Sequence, residues 1–444
     1  MGKIKRPLGK WETALHLLHE ELEGTGITAT ILCCDGNLDV IHMRKALECC
    51  FQKHPALRAI IERSLSTNYF AYTAAFSDIE IQYLEGSHDD QWKSVVEASI
   101  GQKFDIATCL WRFHIVKSPA QCRYHCILTT HHIITDGLSI SNVFDELLKY
   151  YEMIEYGQPI AIHTYDVMPP MESVLASRLD HEKFQAPVLE EPPISNRSYP
   201  LLQFAYQNFV PLGQRTTKCV YYILDNENNV RLLRACKAKQ VTIGAALNAA
   251  MLCACRAMNA TACSIRLLTP VSVRRFCQPE ISREVLGFYV ACVPTEHDVA
   301  ADTLEVFWNL AKEYKYTLNA QTPKVILSES QQAELQPKPM NRMLDIDEAF
   351  CRRHFSAGCA ISNKGRLALR KHYGSLEIKA VYTSVSRQSG DIAVSLSVGE
   401  WQGQQMFAFS YADPLLSEDW VHNFIKTYLS CLERAFANSE VIPC

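Results

Sequence analysis

The sequence lacks any apolar run of the roughly 18 residues that a membrane-spanning helix requires, so it predicts no membrane span. Residues 1–7 lack the apolar core of a signal peptide, and Arg6 stands where a myristoylation signal needs Ser or Thr. An excess of one charge is also missing, because 44 basic and 48 acidic residues leave a formal net charge of -4. Without a broad basic field, nucleic acid is not an expected partner. These absences predict a cytoplasmic protein.

Metal-site spacing is missing as well, although the chain has 18 cysteines. No C-x-x-C pair occurs with the spacing of a zinc site, so no metal is predicted. Cys33–Cys34 and Cys49–Cys50 are adjacent pairs, which rarely bridge. Others, such as Cys126, lie in apolar stretches where a reduced thiol packs as a small hydrophobe. The cysteines therefore predict a reducing compartment rather than a disulfide framework.

The length of 444 residues, with 48% hydrophobic and 21% charged residues, predicts a globular chain of two domains or two similar halves. Strand and helix patterns alternate along it. Prolines interrupt every candidate element between residues 161 and 215. The predicted organisation is an N-terminal lobe of residues 1–160, an inter-lobe linker of 161–215 and a C-terminal lobe of 216–444.

Hydrophobic periodicity predicts the individual elements. The clearest helix covers residues 138–155, where apolar residues follow the i, i+3, i+4, i+7 rule, and it comes after a strand over 122–129. Further helices are predicted at 38–51, 89–100, 227–238, 243–258, 302–318 and 417–436. Further strands are predicted at 27–34, 56–62, 68–74, 79–84, 112–118, 218–225, 264–272, 287–294, 357–361, 376–385, 391–398 and 405–411. Residues 322–350 predict a long loop with a short helix.

The turn between that strand and helix contains His131, His132, Asp136 and Gly137. Side chains at a strand-to-helix turn of an α/β scaffold can project into a cleft. A neutral imidazole there can take the proton of an alcohol or amine that attacks a thioester carbonyl. A histidine pair alone more often reflects packing, but all four residues coincide by chance on the order of once in a thousand at this composition. No G-x-S-x-G elbow supports a hydrolase instead.

The spacing leaves part of the division of roles open. His132 is interpreted as the general base, and His131 as a residue that holds the turn by hydrogen bonds. Asp136 either orients the base or forms an ion pair elsewhere, since a turn separates it from His132. Gly137 offers a position without a Cβ, which permits close approach of backbone or substrate and an unusual φ.

The segment H-H-I-I-T-D-G resembles the His-His-x-x-x-Asp-Gly signature of nonribosomal peptide synthetase condensation domains and polyketide-associated acyltransferases. Alcohol acetyltransferases and the plant acyl-coenzyme A-dependent acyltransferases have a similar motif, and chloramphenicol acetyltransferase is a more distant relative. Weaker markers follow in the family's order and cover nearly the whole chain. They are LDVIHMRKALECCFQKHPALRA (38–59), TPVSVRR (269–275), LGFYVACV (286–293), ISNKG (361–365) and the closing strand and helix (409–433). The D-F-G-W-G sequence of the plant enzymes is absent, which disfavours that branch.

The resemblance implies an α/β fold of two chloramphenicol-acetyltransferase-like lobes, each a mixed sheet flanked by helices, in a V with a tunnel between them. It implies that His132 is the base and that Asp136 points away from it to an arginine of the second lobe. By position that arginine is Arg274, with its neighbour Arg275 as the alternative.

The implied activity is acyl transfer from a coenzyme A or carrier-protein thioester to a hydroxyl or amine, without an acyl-enzyme, metal or redox cofactor. Ser362 and Asn363 are candidates for tunnel lining or for a structural loop role. No carrier or adenylation domain follows in the sequence, so a free-standing, monomeric enzyme of secondary metabolism or of lipid or ester formation is expected. Two alternatives stay open: amide-forming condensation of carrier-tethered substrates, and a non-catalytic binding module.

Overall fold

The computed structural model describes residues 4–64, 67–119, 121–175, 197–259, 261–332 and 353–437. The helices are α1 (Lys10–Glu21), α2 (Val40–Lys53), α3 (Gln91–Gly101), α4 (Ser139–Glu155), α5 (Met171–Val174), α6 (Asn226–Ala238), α7 (Ile243–Ala257), α8 (Leu304–Gln332) and α9 (Glu418–Ala437). The strands are β1 (Lys5–Pro7), β2 (Ile27–Gly36), β3 (Ala59–Glu62), β4 (Tyr69–Tyr72), β5 (Ile81–Glu85), β6 (Trp111–Lys117), β7 (Arg123–His131), β8 (Thr216–Leu224), β9 (Cys263–Ser272), β10 (Val290–Val299), β11 (Ala357–Arg366), β12 (His372–Tyr373), β13 (Leu376–Val385), β14 (Ile392–Trp401) and β15 (Gln404–Asp413).

Most predicted elements are present, with ends that differ by a few residues. The helix predicted over 138–155 is α4, and its buried face includes Val143, Phe144 and Leu147. Helix α2 begins after Asp39, whose side chain accepts a hydrogen bond from His42 N at 2.9 Å and so caps the first turn. The structure therefore follows the apolar pattern of the sequence at these helices.

Three helices differ from the prediction, and one of them, α5, is a single turn inside the predicted linker. Helix α1 was not predicted, because its buried positions include polar residues such as Glu12, His16 and His19, which obscure the apolar stripe. Helix α8 continues through Pro323 to residue 332, so the helix predicted to end at 318 is longer than expected and replaces the first part of the long loop with a short helix predicted for 322–350. Packing of α8 against α7 and β10 outweighs the preference of proline for a helix start. The rest of that predicted loop lies outside the described residues.

Two six-stranded mixed sheets form the centre of the molecule. The first has the strand order β12-β13-β2-β7-β6-β5, and only β5 and β6 pair in parallel. The second has the order β10-β9-β11-β14-β15-β8, with β11 parallel to both of its neighbours. Each sheet contributes to its own large apolar core, with α2 and α4 against the first and α7 and α9 against the second. A small sheet, β1-β4-β3, lies beside the first.

Strands β12 and β13 belong to the first sheet, although they lie late in the chain. Strand β13 pairs antiparallel with β2, with Thr383 opposite Thr30 and Val385 opposite Thr28. The predicted division, which gave all of residues 216–444 to the C-terminal lobe, is therefore wrong for 372–385. Sequence pattern shows that a strand is buried but not which sheet it joins. This crossover brings residues of the second half of the chain next to the turn that contains His131, His132, Asp136 and Gly137, which we call the His-His turn.

The described residues contain neither a single membrane-spanning helix nor a metal-binding cluster. No single helix there is long and apolar enough to cross a membrane, although α6 and α7, bent by 98° at the break between them, pass by length and composition as a pair. No cluster of three or more His, Cys, Asp or Glu side chains with metal-site geometry occurs in the same ranges. The cysteines found there are free thiols, most of them buried.

Candidate active site

The His-His turn links β7 to α4 and is built by local hydrogen bonds. Strand β7 ends at His131, and a 3₁₀ turn follows over His132–Ile134. The Asp136 carboxylate then accepts hydrogen bonds from Leu138 N at 3.2 Å and from Ser139 N at 2.9 Å. These bonds satisfy amide groups that the first turn of α4 leaves without partners. Asp136 thereby fixes the angle at which the chain leaves the strand and enters the helix.

The His132 ring is held in one tautomer. Its Nδ1 lies 2.8 Å from Thr135 O, and because a carbonyl oxygen only accepts, Nδ1 carries the proton and donates it. Nε2 then has an available lone pair, and no hydrogen-bond partner for it occurs among the described residues. The ring also makes an edge contact with Phe288, at 5.2 Å between ring centroids. Such a ring can accept a proton at Nε2.

Burial keeps this imidazole neutral. Desolvation lowers the pKa of His132 below its ordinary value, and the hydrogen bond to Thr135 O opposes that effect. At neutral pH the ring is therefore mainly unprotonated, which is the form that a general base requires.

Asp136 turns away from His132 and pairs with Arg274. The Asp136 Oδ2 accepts hydrogen bonds from Arg274 Nε at 2.9 Å and from Nη2 at 2.7 Å. Both side chains are almost fully buried, at 1% and 4% exposure. Arg275, the alternative partner, is exposed and lies over the Phe276 ring at 4.5 Å. The structure thus places Arg274, rather than Arg275, at Asp136.

Arg274 also clamps the segment that precedes β10. Its Nη1 donates to Ser282 O at 2.6 Å and to Val285 O at 3.0 Å, and its Nη2 donates to Gly287 O at 3.3 Å. The segment carries Phe288, whose ring contacts His132. Arg274 therefore joins this segment to Asp136 and holds Phe288 against His132.

His131 lies beneath the turn and is fully buried. Its Nδ1 accepts a hydrogen bond from Ile133 N at 3.2 Å, which holds the 3₁₀ turn. Its ring packs 4.5 Å from that of His19, and Nε2 has no partner among the described residues. The structure gives His131 a positioning role, and it adds His19, which the sequence did not indicate because α1 itself was missed.

The buried histidines predict acid-sensitive folding. Desolvation lowers the pKa of His19 to about 4 and places that of His131 well below its ordinary value. Between pH 4 and about 6.5 the unfolded chain binds more protons at these histidines than the folded chain does. The free energy of unfolding therefore has its full value above about pH 6.5 and decreases as the pH falls below it. For His19 alone we expect the free energy of unfolding to drop on the order of 3 kcal/mol by pH 4.

Urea unfolding between pH 4 and 8 measures this loss. In His19→Gln the amide oxygen can still accept the hydrogen bond from Phe104 N. The free energy of unfolding of this variant should depend less on pH than that of the wild type. Equal slopes for the two proteins would contradict the assignment to His19.

Gly137 is needed for space rather than for an unusual backbone angle. It is not among the described residues with positive φ, so that part of the sequence interpretation is wrong. A Cβ at this position would lie 3.2 Å from Lys364 Cγ and 3.3 Å from Lys364 Cδ. The missing side chain therefore lets a lysine from β11 pass close to the start of α4.

A cavity of about 40 Å³ lies where the two sheets meet at the turn. Its walls come from the first lobe, from β13 and from the second sheet, and its lining residues are Thr28, His132, Asp136, Gly137, Ile140, Ser362, Lys364, Thr383, Val385 and Ser397. Ser362 thus borders it. Asn363 does not: its side chain is exposed, and its Oδ1 accepts a hydrogen bond from Gly365 N at 2.8 Å, so it stabilises a turn.

A second cavity, of about 30 Å³, borders the same turn through Ile133 and Ile134. Its wall includes Phe288, the residue whose ring contacts His132. The three residues of the 3₁₀ turn therefore border two separate spaces, one at His132 and the other at the two isoleucines.

Comparison with known proteins identifies a family that covers nearly the whole chain. The sequence pattern of a family described as Condensation domain matches residues 17–441. Tyrocidine synthase 3 of Brevibacillus parabrevis is 28% identical over 151 residues, which is 33% of this chain and 2% of that protein. The chain thus spans only a small fraction of the length of this curated relative.

Two solved structures show the same two-lobed α/β fold. Polyketide synthase associated protein 5 from Mycobacterium tuberculosis matches with a TM-score of 0.69 and 16% identity, over 98% of this chain and 99% of that one. The trichothecene 15-O-acetyltransferase of Fusarium sporotrichioides matches with a TM-score of 0.74 and 11% identity, over 98% of this chain and 95% of that one. At these identities the likeness concerns the fold.

Proposed function

Because the chain belongs to the condensation-domain family, we propose that it is a free-standing acyltransferase that moves an acyl group from a thioester to a hydroxyl or amine. The observation that carries the proposal is His132, a neutral imidazole whose Nδ1 is bound to Thr135 O and whose ring borders a cavity between the lobes. The likeness in fold to an O-acetyltransferase supports acyl transfer to a hydroxyl group.

The proposed reaction uses His132 twice. Nε2 takes the proton of the acceptor hydroxyl or amine as the acceptor attacks the thioester carbonyl carbon. When the tetrahedral intermediate collapses, the carbon–sulfur bond breaks and Nε2–H returns the proton to the leaving thiolate. The hydrogen bond from Nδ1 to Thr135 O keeps the ring in the required tautomer throughout. The acyl group passes directly between the substrates, so no acyl-enzyme forms.

The two cavities at the turn support a reaction of two substrates. Each borders a different part of the same 3₁₀ turn, and Phe288 contacts the base from the wall of the second cavity. We assign one space to the reacting end of the acyl thioester and the other to the reacting group of the acceptor. No residue of the proposed mechanism requires a metal or a redox cofactor.

Product formation tests the proposal. The purified chain is incubated with a mixture of short and medium acyl-coenzyme A thioesters and a panel of alcohols and amines. We expect thiol release that depends on an acceptor, together with an ester or amide product of matching mass. Absence of product from both free and carrier-bound donors would refute acyl transfer and favour a binding module.

The second candidate is condensation of carrier-tethered substrates, and the matched segment of tyrocidine synthase 3 favours it. Acyl groups loaded on a phosphopantetheine carrier protein distinguish the two. Turnover with carrier-bound donors and none with coenzyme A thioesters would replace the first proposal by this one.

A further inference from the structure

Lys364 lies at an irregularity of strand β11, and its side chain is turned toward the interior of the protein. The pairing of β11 with β14 shifts register between Asn363 and Arg366, which marks a β-bulge. Gly365 has a φ of +66°, and the Asn363 side chain accepts a hydrogen bond from its amide. Bulges of this kind redirect side chains next to functional sites. As a result Lys364 is only 9% exposed, while its neighbours on both sides are exposed.

The side chain of Lys364 crosses from the second sheet into the first lobe. Its Cγ and Cδ pass the space left open at Gly137, and Nζ donates a hydrogen bond to the hydroxyl of Thr383 on β13. It borders the same cavity as His132. The ammonium group therefore lies in the junction where the proposed acyl transfer takes place.

No described carboxylate forms an ion pair with Lys364. The other ionisable groups on the cavity wall are His132 and Asp136, and the charge of Asp136 is matched by Arg274. The remaining lining groups are hydroxyls, aliphatic side chains and a glycine. Burial of a charge without a counter-ion is costly, so the cavity is a place where negative charge on a bound substrate would be stabilised.

We propose that Lys364 is a catalytic residue whose ammonium group stabilises the negative charge that develops on the acyl carbonyl oxygen. The inference rests on the proposed acyl transfer and supplies the electrophilic group that the motif itself lacks. As the acceptor lone pair bonds to the carbonyl carbon, the π electrons move to the oxygen, and the acceptor proton moves to His132 Nε2. Collapse restores the C=O bond, expels the thiolate and releases the charge at Lys364. A preorganised cation in a cavity with little water suits this role.

The pH profile gives the proposal a specific signature. Burial lowers the pKa of Lys364 to about 7 and that of His132 below its ordinary value. The wild-type kcat should therefore rise on the acid side as His132 loses its proton and fall above about pH 7 as Lys364 loses its own. In Lys364→Arg the guanidinium stays charged, so the fall on the alkaline side should disappear.

Lys364→Met keeps the length of the side chain and removes the charge. We expect kcat to fall about 10²- to 10³-fold with KM unchanged, and the fold to be at least as stable because an uncompensated buried charge is removed. Lys379→Met is the matched control, since Lys379 on β13 is partly exposed, ion-paired with Glu377 and absent from the cavity wall. Its kcat should equal that of the wild type.

The outcomes separate this inference from the proposed function. One possible result is that the wild type is active, His132→Ala is inactive and Lys364→Met has unchanged turnover. This result would refute the role of Lys364 and would leave the acyltransferase proposal intact. A rise in KM with unchanged kcat also overturns it, because Lys364 would then bind a substrate anion in the ground state. If Lys364→Met does not fold, the pH profile of Lys364→Arg tests the proposal instead. A decrease in kcat at alkaline pH identical to that of the wild type would contradict the proposal.

Discussion

Replacement of His132 by alanine is expected to lower kcat/KM by about 10²- to 10⁴-fold, the usual contribution of a general base. The reason is geometric: the ring borders the cavity, Nδ1–H is bound to Thr135 O, and no described residue binds Nε2. Stability should change little, because the main loss is one hydrogen bond, worth roughly 1 kcal/mol. Thiol release from the acyl donor and urea unfolding of the same preparation measure the two quantities.

His372→Ala provides the matched control for this substitution. His372 lies on β12, is exposed and does not border either cavity. It should retain wild-type turnover. Full activity in His132→Ala would remove the basis of the proposed mechanism, whereas a large loss of stability would show that the ring holds the turn rather than acts as base.

Removal of the Asp136 carboxylate is expected to destabilise the fold by roughly 3–5 kcal/mol, the cost of leaving a buried charge without its partner. Asp136→Ala leaves Arg274 at the lobe junction with no anion, and it removes the hydrogen bonds to Leu138 N and Ser139 N at the start of α4. The decrease in the free energy of unfolding should be at least as large as the increase in the activation free energy of the reaction. A double variant, Asp136→Leu with Arg274→Met, should recover part of this loss because it leaves neither charge unpaired.

Asp35→Ala is the matched control for the effect of burial. Asp35 also accepts two hydrogen bonds from one arginine, Arg123, at 2.8 and 3.1 Å, but the side chains are 32% and 35% exposed. A surface pair of this kind contributes about 0–1 kcal/mol. An Asp136→Ala variant as stable as Asp35→Ala, yet inactive, would contradict the structural role given to Asp136.

The parts of the site that the sequence predicted well are local in the chain. The turn between β7 and α4 follows from two strong patterns, a strand and an amphipathic helix, with polar residues between them. The partner of Asp136 was narrowed to two adjacent arginines through resemblance alone, and only packing separates the buried Arg274 from the exposed Arg275.

The parts that were missed depend on contacts between distant segments. A lysine in a strand normally faces solvent, so nothing in the segment I-S-N-K-G marks Lys364 as buried. Its position follows from the β-bulge and from the space at Gly137, more than two hundred residues earlier. In the same way, the position of β13 beside β2 depends on which sheet has a free edge, and periodicity does not contain that information.

The position of β13 means that the two lobes cannot be separated into independent folding units. A fragment that ended at the inter-lobe linker would lack β12 and β13, and the backbone N–H and C=O groups of β2 that face β13 would be left without their partners, although β2 would still pair with β7. Such a strand is a template for aggregation. Thr383 and Val385 would be lost with it, and with them one wall of the cavity at His132. The surroundings of the His-His turn, although the turn itself lies in the first third of the chain, are complete only once the second half of the chain has been synthesised.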